Sequence, residues 1–253
     1  MSLAMDTEDI RRVVAMLRER SDFRGIKIEK APTNAKYLGR VWPDLLDEIA
    51  LELNFSFAES VREAVYVHEM LHIVLRYDGF PKVVVNRNVA AKLNPRYANK
   101  LEGLKQRFES VINHPEIFRR IIHDFNLDID QYFDAEVSLK LPLFQQSAGN
   151  NVMKNEDYFF RGQQSIMYGI ELFSYPEKQK KQVLDRFMAS YPEEFDICLA
   201  LFNKVKGIGF DNPISCCNSA LTIRSHIIEY GNDKSIGEIN KMWEALDIIS
   251  AAQ

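Results

Sequence analysis

The sequence predicts an α+β protein: a small antiparallel or mixed sheet packed on one buried helix, followed by a mostly helical C-terminal part. Three observations carry that expectation. Residues 25–32 ("GIKIEKAP") and 48–54 ("EIALELN") alternate apolar and polar side chains with the period of half-buried strands. Residues 56–79 read as a helix that is apolar on nearly every side, hence buried. Beyond about residue 140 the pattern is helical, punctuated by "QSAGNN", "SYPEK", "SYPEE", "GIGFDNP" and "YGNDK". The expected division is a first unit over 1–140 and an extension over 141–253, packed together as one compact body.

Each element has its own signals. Residues 7–19 place Ile10, Val13, Val14 and Leu17 on one side of a short amphipathic helix. The next helix opens with Ser56 and Glu59 at capping-box spacing, where the two side chains satisfy first-turn N–H groups. Gly79 suits the residue after its end, and Pro81 forbids continuation. Asn94-Pro95 opens another helix, with the stripe Leu101, Leu104, Phe108, Val111 and Ile112. It is expected to stop near Asn113, because Pro115 disfavours helical geometry at His114 and starts a helix of its own.

Composition narrows the function classes. The chain has 253 residues, 46% hydrophobic and 27% charged, the profile of an ordinary globular protein. A net charge of −4 leaves no basic footprint for nucleic acid or an anionic membrane, so neither is expected as a partner. No stretch of 18 uncharged apolar residues suggests a spanning helix. Cys198, Cys216 and Cys217 form an odd set without framework spacing, and the N-terminus lacks a signal-peptide pattern. Met1-Ser2-Leu3 reads as a scar before Met5. The expected location is cytoplasmic.

The chemistry-bearing motif is His68-Glu69-Met70-Leu71-His72, in the middle of the buried helix. A spacing of four puts both imidazoles on one side of a helix, one turn apart. Two neutral imidazoles can take two corners of a tetrahedral zinc site, with a third protein ligand leaving one corner for water. Glu69 is displaced by about 100° around the helix, beside the metal, where it can accept a proton from that water. Zinc lowers the pKa of such a water to ~7. The competing reading is that these are ordinary histidines. Burying three polar groups unpaired, however, costs several kcal/mol, which a cation relieves.

At His68, Glu69 and His72 the chain resembles the zincin metallopeptidases over about residues 45–80, extending towards 115. The resemblance implies Zn2+ as cofactor, a peptide or protein substrate, and an antiparallel edge strand before the active-site helix. No histidine follows in "IVLRYDGF" at metzincin spacing, so the gluzincin-like branch is implied, with a glutamate ligand on a later helix. Glu109, with Asn113 one turn on as the residue orienting a zinc histidine, is similar to that arrangement. The family has aspartate in the second position. His114 is the alternative third ligand, since imidazole suits zinc. Glu116 is a weaker candidate with a helix-dipole reason for its place.

Other signals are less specific. His123, His226 and the phenols of Tyr66, Tyr97, Tyr132 and Tyr158 are candidate transition-state donors. Gly207 and Gly209 read as a turn, vicinal Cys216-Cys217 as no zinc site, and residues 177–182 as a solvated face. The aromatic stretch 156–173 reads as core, a groove or a partner surface. The functional expectation is a cytoplasmic zinc-dependent peptidase with Glu69 as general base. The alternatives are a regulatory or partner-binding protein on a zincin-like scaffold, and an accidental motif in a helical interaction protein.

Overall fold

The computed structural model describes residues 6–20, 25–32, 35, 37–42, 49–144 and 156–250. Met1 to Met5, Glu48 and the "QSAGNN" turn lie outside the described residues. The fold is α+β, and the chain divides into two compact units. One comprises residues 1–78 and 116–140, the other 79–115 and 141–253. Residues 79–115 thus group with the C-terminal segment.

The first unit is built around a mixed three-stranded sheet. Helix α1 (Glu8–Arg20) buries Ile10, Val13 and Leu17 of the expected stripe and leaves Val14 half-buried. Strands β1 (Ile26–Lys30), β2 (Gly39–Trp42) and β3 (Ile49–Leu53) follow in the spatial order β1-β3-β2. β3 is therefore central, parallel to β1 and antiparallel to β2. The antiparallel edge strand is β2, which is too short for a periodicity signal. A cross-strand cluster ties it down: Tyr37 Oη and Arg40 Nε both donate to Glu52 Oε2, at 2.7 and 2.9 Å.

Helix α2 (Glu59–Tyr77) packs on α1, β2 and β3, and eleven of its nineteen residues are buried. The expected capping box does not form. The helix starts three residues later, at Glu59, with no side-chain cap. Ser56 instead gives both its N–H and its hydroxyl to Asn54 Oδ1, at 3.1 and 2.6 Å. Asn54 outcompetes the helix because its side chain closes a tighter local turn. At the other end Gly79 follows the C-cap Asp78 with φ +85°, as its sequence position implied.

In chain order come β4 (Lys82–Val85), the short α3 (Arg87–Ala90) and α4 (Pro95–Asp124). The expected break at Asn113 is absent: α4 runs straight through Pro115. An interior proline removes the bond to the carbonyl four residues back and crowds it. That cost is met here by packing on both sides of the proline. Ile112 and Ile117 are fully buried, and the Cys216 thiol donates to the Ile112 carbonyl at 3.3 Å. In the first unit Glu116, 2% exposed, is gripped by Arg119 and Arg120 at 2.7–2.8 Å, and Arg120 reaches Asp78, the C-cap of α2. Helix α5 (Ile129–Lys140) packs on α2 and completes that unit.

The second unit pairs β4 antiparallel with β5 (Leu246–Ile249). Its helices are α6 (Glu156–Leu172), α7 (Glu177–Ser190), α8 (Pro192–Ile208), α9 (Pro213–Asp233) and α10 (Gly237–Glu244), preceded by a 3-10 turn at Leu141–Phe144. Its core holds a satisfied polar network. Trp243 Nε1 donates to Gln163 Oε1 at 2.9 Å, and Gln163 Nε2 to Asn240 Oδ1 at 2.8 Å. Gly207 lies in the last turn of α8, contrary to the turn expected there, and only Gly209 (φ +93°) stands beyond the helix as its C-cap. Residues 177, 178, 181 and 182 are exposed, while Gln179 between them is buried. No helix among the described residues is long and apolar enough to cross a membrane.

Gly39 sets how closely the sheet approaches α2. A Cβ there would stand 2.5 Å from Val65 Cγ1 and 3.0 Å from the Glu52 carbonyl. Gly39→Ala is expected to destabilise the protein by about 1–3 kcal/mol, the usual cost of overpacking, measured by urea unfolding.

Candidate metal centre

Helical spacing brings the two motif histidines together. His68 Nε2 and His72 Nε2 are 3.2 Å apart, with the rings close to perpendicular. Two nitrogens bound to one tetrahedral zinc at ~2.0–2.1 Å stand roughly 3.3 Å apart, so this separation fits a shared cation. His68 is buried, and His72 is partly accessible.

The far nitrogen of His68 is also engaged. Nδ1 lies 2.7 Å from Tyr132 Oη on α5, and that hydroxyl donates to Glu136 Oε1, one turn on, at 3.5 Å. A metal on Nε2 calls for the tautomer in which Nδ1 donates to this phenol oxygen. A ring protonated at Nδ1 presents its lone pair at Nε2, the atom facing His72. The Phe118 ring on α4 and the Tyr132 ring flank His68, with centroids 5.7 and 5.9 Å away.

One turn before Phe118 on the same helix stands His114, 8% exposed. The ligand atoms of His68, His72 and His114 all lie within 4.8 Å of one another, a group able to hold a metal ion. His114 Nδ1 is 3.0 Å from Glu171 Oε2 on α6, and Tyr175 Oη donates to Glu171 Oε1 at 3.1 Å. His114 Nδ1 and Glu171 Oε2 approach as an ion pair and not as an aligned hydrogen bond.

Glu69 occupies the adjacent face of α2. Desolvation first, and the negative charge of Glu136 second, push its pKa from 4.5 up to about 8. The backbone N–H of Val41, on edge strand β2, donates to it and acts in the opposite direction. Some of its surface stays accessible even though the carboxyl itself is deeply desolvated. The arrangement provides imidazole lone pairs for a cation and, beside them, a carboxyl that holds a proton near neutral pH.

The remaining expected residues lie elsewhere. Glu109 is not in the histidine group; its Oε2 accepts the Val83 N–H of β4 at 3.1 Å. Asn113 is buried, and its Oδ1 has no hydrogen-bond partner among the described residues, so the orienting bond expected from it is not made. Tyr132 makes the histidine contact that Asn113 was expected to make. Glu116 is spent on two arginines. Among the donor candidates, His123 is exposed, and His226 Nδ1 lies 3.0 Å from the Thr222 carbonyl of its own helix. Tyr66 is buried, with a phenol pushed up to about 12, Tyr97 is also buried, and the Tyr158 side chain is outside the described residues. Reading the sequence missed Glu136 and Glu171. The usable signals were Glu136 one turn after Tyr132, and a lone acid in the apolar run "SIMYGIELF".

No family model matches the chain, nor does any curated protein or solved structure. The site therefore stands on its own geometry.

Two predictions follow from that geometry. Tyr132→Phe removes the hydroxyl between His68 and Glu136 and is expected to weaken zinc binding about 10–100-fold, read by competition with a chromophoric chelator. In zinc-free buffer the raised pKa of Glu69 means that the folded state binds the extra proton between about 4.5 and about 8. Its contribution to stability is present below that window and is lost as pH rises through it. Glu69→Gln should flatten this part of the stability profile in denaturant titrations across pH.

Proposed function

We propose that the chain is a zinc-dependent peptidase in which His68, His72 and His114 hold the metal and Glu69 is the general base. The observation that carries this reading is the pairing of His68 Nε2 and His72 Nε2 at 3.2 Å with a desolvated glutamate on the adjacent helical face. Zinc, when bound there, supplies a Lewis acid that polarises a carbonyl and acidifies water. The chain's own groups do the rest. Tyr132 engages His68 through Nδ1, which leaves Nε2 for the metal, and Glu171 stands beside His114 Nδ1. Beside a cation the ionised form of Glu69 would be favoured, and it could then take a proton from water and return it to the leaving amine.

The substrate proposed is an extended peptide. β2 is an edge strand, and its Val41 N–H already points at Glu69, so a segment added along that edge would pass the base. His68, Glu69 and His72 keep the likeness to the zincins, while a histidine third ligand departs from the glutamate that marks the gluzincin-like branch.

The test is zinc content and peptide hydrolysis measured on the same samples. Wild type should bind one zinc, cleave a fluorogenic peptide library, and lose both to a chelator. Glu69→Gln should keep zinc and lose activity by about 10²–10⁴-fold, the usual worth of a positioned base. His114→Ala should lose zinc affinity, while Glu109→Gln should keep it. Full activity in Glu69→Gln would refute the mechanism. Zinc bound by a wild type that cleaves nothing would return the chain to the partner-binding reading.

A further inference from the structure

A second site lies wholly within the C-terminal unit and does not depend on the metal reading. On α4, Arg96, Lys100, Gly103 and Arg107 recur at spacings of four, three and four, so they share one helical face. Facing them from α6 are Phe160, Arg161 and Gln164, and together they line a cleft of about 560 Å³. Four cations thus converge in a chain whose net charge is −4. No carboxylate lines the cleft among the described residues. Like charges one helical turn apart, such as Arg96 and Lys100, repel. Lys100 is held partly by aromatic faces, with Nζ 5.3 Å from the Phe160 centroid and 5.9 Å from that of Tyr97.

Gly103 is the independent observation. Glycine is among the poorest residues for a helix interior, and it is normally kept there to let another group approach. Here nothing lies within 4 Å of where its Cβ would stand. Gly103 is exposed and no described residue covers it, so this face of the helix is open to a ligand in the cleft.

We propose that this cleft binds a nucleotide carrying two or more phosphate groups. Guanidinium forks match phosphate oxygens in pairs, and three of the four cations are arginines. Asn99 and Gln164 add amide groups at the lining, suited to ribose or base edges. Phe160 is half-buried and offers a ring face for stacking. The volume lies within the range of small-molecule pockets, about 300–1,000 Å³. Four positive charges also match the charge of a nucleoside triphosphate. The phosphates lie along Arg96, Lys100 and Arg107, at the helix face opened by Gly103.

The test is calorimetric titration of the full chain with ATP, tripolyphosphate and adenosine at physiological ionic strength. ATP should bind with one-to-one stoichiometry and about tenfold more tightly than tripolyphosphate, the margin a stacked base provides. Adenosine alone should not saturate. Arg107→Glu and Gly103→Glu, both at exposed helix positions, should each weaken ATP binding at least about tenfold while leaving circular dichroism unchanged. Lys105→Glu makes the same charge change as Arg107→Glu outside the cleft and should leave ATP binding as it was. The proposal is overturned by absent ATP saturation, by equal weakening in Lys105→Glu, or by tripolyphosphate binding as tightly as ATP. A single-stranded oligonucleotide binding more tightly per phosphate than ATP would overturn it in favour of a nucleic-acid surface.

Discussion

The first unit depends on one constraint: α2 is buried on nearly every side, yet carries two imidazoles and a carboxyl in its middle turns. Apolar neighbours supply the burial, with α1, the sheet and α5 all packed on this helix. They cannot supply hydrogen bonds, and each unmet polar group in such a place costs about 1–3 kcal/mol. The surrounding elements therefore bring specific partners. β2 offers a backbone amide to Glu69, and α5 offers a phenol to His68. Sheet order, the glycine at position 39 and the placement of α5 all answer the same demand.

Much of this was legible in the residues, and what was missed shares a cause. The stripe Ile10, Val13 and Leu17, the alternation around Leu51 and Leu53, and Gly79 at the end of α2 were readable because each acts through its near neighbours. Three local signals were outvoted. Ser56 has a capping spacing but meets Asn54 first. Pro115 has the signature of a helix boundary, yet packing on both sides keeps α4 whole. β2, β4 and β5 are four residues each, too short to show a period against their surroundings.

The candidate site divides along the same line. His68, Glu69 and His72 lie within one helix, so their spacing announced them. His114 could be named only as one of several later residues, because its place depends on whether Pro115 breaks the helix. Glu109 had the better analogy, but it satisfies a strand amide instead. The groups beside the histidines, Tyr132 and Glu171, lie 64 residues after His68 and on α6, respectively. No periodicity in α2 or α4 encodes those meetings.

The insertion of residues 79–115 between the two segments of the first unit has a practical consequence. Neither unit is a contiguous stretch of chain, so no single cut separates them. A fragment ending at Lys140 would keep residues 79–115 but lose the α6–α10 core that belongs with them, leaving Leu101, Leu104 and Phe108 without their own unit. A fragment beginning at Leu141 would lack β4, the only partner of β5 among the described strands. Limited proteolysis at the Lys140 boundary should therefore give two pieces that stay associated until denatured. The chain is one object for expression, although it is two by packing.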